Sequence, residues 1–340
     1  MAKTIVAAFR GLPAGELEGY LRSHDLNTWN DTYRWLDTSG LELYFLARLK
    51  ALALENLLPQ PILDRMERNF ADNKIRTAGI IQEFVRVNEA LQREHLTYCN
   101  VKGIALAPVS CPELTLRRQL NLDFILSASE IERCRQVLFQ LGYSATSSSR
   151  HFCEFHPNPD LIHPRTNIYQ RTIPNSIAIY LVSGEAQGIE RAPYSMLMRR
   201  QLQTLDGYTF PAPNEPDHFI AQAIRILGQV GIEWSRLAFL WEFKVCLQFR
   251  QNDPSFWQRV HEGAQEHPLR PLAIATAARL AAEIFGGDIP LPLRESAASQ
   301  LDPRVRSWSE RHGWDSILTG FPGTTLQTLL EQEMGADSQQ

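Results

Sequence analysis

The stretch LNLDFIL, residues 120–126, decides the fold. Side chains alternate across a strand, so Leu120, Leu122 and Phe124 fall on one face and Asn121, Asp123 and Ile125 on the other. That alternation predicts a sheet strand with Asp123 on its second face. Upstream, LTYCNV (96–101) is a second strand-like run of β-branched and aromatic residues, ending at the Lys102-Gly103 turn. Downstream, Ser127 or Ser129 can cap a helix whose first turn holds Glu130 and Glu132. Val137, Leu138 and Leu141 give that helix an apolar face, and Gly142 stops it.

Around this centre the pattern changes period. LELYFLARLKALALENLL (41–58) is helical by spacing and by its Leu and Ala content, with Pro59 and Pro61 as its stop. A second helical pattern runs from Ile62 to about His95. HFCEF (151–155) and SIAIYLV (176–182) read as strands on either side of a turn-rich HPNPDLIHPRTN. Helices return in AQAIRILGQV, WSRLAFLWEFKVCLQF and LAIATAARLAAEIFGG. The fold class is therefore α+β: a helical region at 1–95, a small mixed sheet within 96–210, a helical region at 211–334 and a polar tail at 335–340.

Composition narrows the partners. With 34 Lys and Arg against 38 Asp and Glu, the net charge is -4, so no global positive field advertises a nucleic-acid partner or an anionic membrane. The opening MAKTIVAAFRGLP has too short an apolar run for a signal segment or a membrane span, and a cytoplasmic protein is expected. The five cysteines, at 99, 111, 134, 153 and 246, form no CxxC pair and read as packed, reduced thiols.

VKG at 101–103, Arg117, the NLD of 121–123 and the helix closing in LGY (141–143) together resemble a diverged form of an uncharacterised bacterial nucleotidyltransferase family. That family pairs an LKG turn with an Arg, a DxD strand and a helix ending in LGY. FPAPNEPDHFIAQAI (210–224), WSRLAFLWEFKVCL (234–247) and FGGDIP (285–290) are similar to its later segments, so the resemblance covers about 60–290. It implies a polymerase-beta-like nucleotidyltransferase fold that moves a nucleotide from an NTP, with Mg2+, to a small molecule or a protein or peptide. Asp123 is then the catalytic and metal-binding acid. Asn121 stands as second ligand at the position of the first Asp, and Lys102, Gly103 and Arg117 receive phosphate.

The physical reason for a DxD strand is that carboxylates two residues apart project from one face and can share magnesium bound to a triphosphate. An amide at 121 can coordinate but brings no charge. The third acid of related families falls near Ala178, with an aromatic or His near Tyr180. Glu154 is open as a replacement for that acid or as a solvated strand residue. Arg117 is open between a phosphate and a pairing with Glu113. The loss of acids also admits a second function, a non-catalytic protein that uses the cleft to hold a peptide, a metabolite or a partner enzyme.

Other clusters carry blander readings. His151, Cys153, Glu154, His156 and His163 match no zinc spacing. Asp217-His218 lacks a nucleophile and reads as helix N-terminal polarity. Trp234, Phe239, Trp241, Phe243 and Phe249 recur at helical intervals and read as core.

Overall fold

The computed structural model describes residues 2–158, 169–183, 194–230 and 237–294. In chain order the helices are α1 (Ala2–Ala7), α2 (Ala14–Arg22), α3 (Leu26–Ser39), α4 (Glu42–Ala51) and the long α5 (Gln60–Arg93). Then come β1 (Tyr98–Val101), β2 (Leu122–Ser127), α6 (Ile131–Gln140), β3 (Tyr143–Ser148), β4 (Phe152–Pro157) and β5 (Ile177–Val182). After α7 (Tyr194–Met198) and the strands β6 (Gln201–Leu205) and β7 (Tyr208–Ala212), the chain is helical through α8 (Glu215–Val230), α9 (Leu237–Phe249), α10 (Pro254–Ala264) and α11 (Leu269–Phe285). The α+β class is as expected. No described helix is long and apolar enough to cross a membrane.

Two compact units divide the chain, one of residues 68–218 and the other of the described parts of 1–67 and 219–340. The first contains the sheet, in the order β1-β2-β5-β4-β3, with β2 and β5 parallel and the other pairs antiparallel. Alternation builds its core as the sequence predicts. Leu122, Phe124 and Leu126 join Ile177, Ile179 and Leu181 and, from β4, Cys153 and Phe155 on one face. Against that face lie Ile80, Phe84, Val87 and Leu91 of α5 and Cys134, Val137 and Leu138 of α6. Burying such side chains contributes about 1.5–3 kcal/mol each, which fixes the strand register and so the direction of every residue on the opposite face.

Of the aromatics expected in the core, Phe239 and Phe243 are buried and Trp241 is half-buried. Trp241 meets Phe9 at 4.8 Å and Phe285 at 5.2 Å between ring centroids, and Phe219 stacks on Phe243 at 4.5 Å. Phe249 departs from the core reading: it is exposed, with the Arg250 guanidinium 5.0 Å from its ring centre. Trp234 lies outside the described residues. All five cysteines are free thiols in buried positions.

Several boundaries differ from the sequence reading. The helix expected over 41–58 ends at Ala51, because the chain turns through Ala53 in the left-handed region (φ 55) and continues as a short 3-10 turn at Glu55–Leu57. Neither Ser127 nor Ser129 makes a side-chain cap. A 3-10 turn at Ala128–Glu130 precedes α6, the two hydroxyls face each other at 2.9 Å, and Glu130 instead accepts from the backbone N–H of Thr97 at 2.8 Å. Gly142 does end the helical run, at φ 85.

Candidate functional site

The site lies where β1, β2 and β5 present their second face, within the unit of residues 68–218. Lys102 follows β1 directly and takes a left-handed φ of 59, followed by Gly103 at φ 48. This pair of turns swings the Lys102 side chain across the sheet. Its Nζ donates to Asp123 Oδ1 at 2.6 Å and also to the Tyr180 hydroxyl, and it stands 4.2 Å from the centre of the Tyr180 ring. The Tyr180 hydroxyl in turn donates to Asp123 Oδ1 at 3.1 Å. Ammonium, phenol and carboxylate thus contact one another. The group is partly shielded, with 21% of the Lys102 side chain and 13% of the Asp123 side chain accessible. Both bonds to the carboxylate fall on Oδ1, so Oδ2 is the oxygen through which an added cation could be held.

Register places the remaining acid positions. Asp123 pairs with Ala178 across the parallel β2–β5 ladder, and Ala178 pairs with Glu154 across β4–β5. Partners in a ladder point to the same face, so Glu154 shares a face with Asp123 at two strand spacings, about 10 Å between backbones. Alanine between them, buried at 4% exposure, supplies no ligand. Glu154 is half-buried and lies 3.5 Å from His156 Nε2 on its own strand. Phe152, opposite Tyr180, closes this face with a ring contact at 5.4 Å.

Asn121 stands just before β2, and its carbonyl accepts from Gln119 Nε2. Gln119, which the sequence reading did not single out, organises the loop that enters β2. Its side-chain oxygen accepts from Arg117 Nη1, and a Cβ placed on Gly103 would come within 2.2 Å of its amide nitrogen. Gly103 is thus required for both its φ and this close approach. Arg117 is buried at 7% exposure and turned towards Gln119, while Glu113 accepts from Thr115 Oγ1 at 2.6 Å. From α5, Asn73 Nδ2 donates to the carbonyls of Thr115 (2.7 Å) and Arg117 (3.2 Å) and anchors the same loop. Sequence pattern could not reveal Gln119, because its role depends on two turns brought together by the fold.

The donor set limits what a metal could do. Asp123 offers one carboxylate and Ala178 nothing, while Asn121 stands one residue before the strand. That fits a single Mg2+ whose other ligands are phosphate and water, since magnesium is commonly held by one or two carboxylates plus substrate phosphates. It does not fit a pair of ions clamped between shared carboxylates.

The other candidate clusters are structural. Cys153 points into the core, opposite to Glu154, and His163 lies outside the described residues. Among the described residues no three His, Cys, Asp or Glu side chains gather as a metal site. Asp217 is held by Arg199 in a two-pronged ion pair (2.7 and 3.1 Å), and its backbone N–H is capped by Asn214 Oδ1 at 2.9 Å. His218 is pushed down to about 4 by desolvation.

No curated protein matches this chain. A family model described as uncharacterised nucleotidyltransferase matches residues 25–286, well over half the chain and inclusive of the whole site. With its mixed sheet and the Lys102–Asp123–Tyr180 set at the turn and strand where that family's resemblance was read, the chain belongs to the uncharacterised nucleotidyltransferase family.

Proposed function

We propose that this chain binds a nucleoside triphosphate by its phosphates at the Lys102–Asp123–Tyr180 face and transfers the nucleotide to a small-molecule or protein acceptor. The observation that carries this reading is the Lys102–Asp123 contact of 2.6 Å at the β1 turn. It keeps a cation beside the acid, reached from the turn that ends β1. Asp123 and the Asn121 amide would hold one Mg2+, which supplies neutralisation of phosphate charge when bound. Lys102 can exchange Asp123 for a phosphate oxygen, and Tyr180 keeps the carboxylate oriented while it does so. In the transfer, an acceptor oxygen bonds to the α-phosphorus as the bond to the β-phosphate oxygen breaks and pyrophosphate leaves. The acceptor's proton passes to solvent by way of Asp123. Arg117, buried against Gln119, serves as a positioning residue for the loop rather than as a phosphate ligand.

Calorimetry with the four common NTPs, with and without Mg2+, tests this. Saturable binding that strengthens with Mg2+ and is lost in Asp123→Ala supports it, and no binding by the wild-type chain sinks it. A second reading rests on Ala178 opposite Asp123: a cleft that holds a peptide, a metabolite or a partner enzyme without transferring anything. NTP binding with no pyrophosphate release across a panel of hydroxyl, amine and protein acceptors would favour that reading.

A further inference from the structure

Three guanidinium groups gather beside the loop that leads into β2, away from the Lys102–Asp123 contact. Arg76, on α5, is 1% exposed and spends its donors on backbone. Its Nε and Nη2 reach the carbonyl of Gln119 at 3.0 and 2.6 Å, and its Nη1 reaches the carbonyl of Arg171. It therefore ties the loop before β2 to the loop before β5, and it brings Arg118 and Arg171, far apart in sequence, to the same place. Their positive fields bear on Arg76, which is lowered to about 10 by burial first and then by Arg118 and Arg171. The Nε atoms of Arg118 and Arg171 are both buried and have no hydrogen-bond partner among the described residues. Arg118 also stands 5.7 Å from the ring centre of Tyr169. Asp72 accepts from Gln170 Nε2, one residue before Arg171, at 3.0 Å.

Like charges held together with buried donors unmet are costly, since an unsatisfied buried donor loses its hydration without return. An anion of several oxygens would offset the like-charge cost through the outer guanidinium nitrogens, and the guanidinium fork suits phosphate in particular. Position adds to this. Arg118 is five residues ahead of Asp123 and next to Gln119, whose side chain reaches the Asn121 carbonyl and packs at Gly103. Arg171 precedes β5, which runs parallel to β2 and carries Tyr180. The cluster thus lies beside the loops that lead into β2 and β5, and Gln119, next to Arg118 in the chain, packs at Gly103, which follows Lys102.

We infer that Arg118 and Arg171, braced by Arg76, form an anion subsite that takes the terminal phosphates of a polyphosphate chain. This rests on the proposed nucleotide reading for the identity of the ligand, but the subsite itself recognises the polyphosphate and not the nucleoside.

The test measures binding of inorganic tripolyphosphate and of Mg-ATP at low salt to the wild-type chain, Arg118→Gln, Arg171→Gln, the double variant and Asp123→Ala, with thermal unfolding of each as a folding control. Each charge-assisted contact is of the order that tenfold in affinity reports. The expected result is that tripolyphosphate binds the wild type, weakens about tenfold in each single Arg variant and about 100-fold in the double, and is little changed in Asp123→Ala. Should Mg-ATP bind in a manner that needs Asp123 but ignores both arginines, the subsite is wrong and the nucleotide reading stands. Should tripolyphosphate need the arginines while Mg-ATP binds no better than tripolyphosphate and ignores Asp123, the subsite stands and the nucleotide reading falls. Absence of binding by either ligand overturns both. If a glutamine variant unfolds early, Arg118→Lys and Arg171→Lys replace it; retained charge without the fork should recover part of the lost affinity, and failure to recover any in folded protein also overturns the subsite.

Discussion

Ala178 stands directly across from Asp123 in the parallel pairing of β2 and β5. A methyl group there gives Asp123 no carboxylate for company, and its negative charge is met by Lys102 instead. Ala178→Asp should therefore set two acids side by side. The apo variant is expected to lose about 3 kcal/mol or more, because the position is buried at 4% exposure and the new carboxyl meets a like charge. Saturating Mg2+ should restore the loss, as any ligand of the folded state does. Thermal unfolding with and without Mg2+ reads the difference, and a variant that Mg2+ does not rescue would show that this face cannot gather a metal.

Lys102 and Asp123 should be energetically coupled. Breaking a fully buried pair costs about 3–5 kcal/mol, but these side chains keep some solvent, so Lys102→Met is expected to cost about 1–2 kcal/mol. A double-mutant cycle with Asp123→Asn should return a coupling of about 1 kcal/mol in chemical denaturation. Additive single effects would mean that the contact is incidental to the fold.

Gly103→Ala should be among the most damaging small changes in the sheet unit. The backbone sits at φ 48, and the new methyl group would lie 2.2 Å from a Gln119 amide already committed to Asn121. A loss of about 2 kcal/mol or more is expected in urea unfolding, from left-handed strain together with the clash. Adding Gln119→Ala should recover part of it by removing the obstacle. If the double variant is no more stable than Gly103→Ala, strain alone accounts for the glycine.

Glu154 shares the face of Asp123 through Ala178, and Glu154→Gln tests whether that placement matters. If the acid takes part in holding Mg-NTP, the substitution should weaken Mg-dependent binding about tenfold while leaving unfolding within about 0.5 kcal/mol of wild type. Unchanged affinity would return Glu154 to an ordinary strand residue paired with His156.

Acid should destabilise the chain through His218. Desolvation lowers its pKa to about 4, below its ordinary 6.5, so the unfolded chain binds the proton more readily. The His218 contribution is fully present above about pH 6.5 and is lost as pH falls towards 4, by roughly 2 kcal/mol after allowance for its partial exposure. His218→Gln should flatten stability between pH 6.5 and 4 relative to wild type. An equal slope in the variant would exclude His218 as its source.

The central part of this molecule could be read from the chain because its signals are local. Alternation in 120–126 gave both the core face of β2 and the direction of Asp123, and the Lys102-Gly103 turn marked the end of β1. β3 was not legible: YSATSS is polar on both faces since it forms the outer edge of the sheet, where only Tyr143 is buried. The β6–β7 hairpin was missed although Asp206-Gly207 is a two-residue turn signal, because Gln and Thr hide the alternation around it. In the site, Tyr180 lay near an expected aromatic position. Gln119 and the Arg118–Arg171 gathering depend on loops joined by Arg76, which no sequence spacing displays.

Alternation along β2 and β5 also separates the cost of folding from the identity of the polar residues. Leu122, Phe124, Ile177 and Ile179 carry the packing on one side of the sheet, while Asp123, Ala178 and Tyr180 lie on the other. An acid or a methyl group can therefore stand on this second face while the apolar face keeps its own packing partners. The packing of the apolar face and the number of acids on the other face are thus set by different side chains of the same two strands.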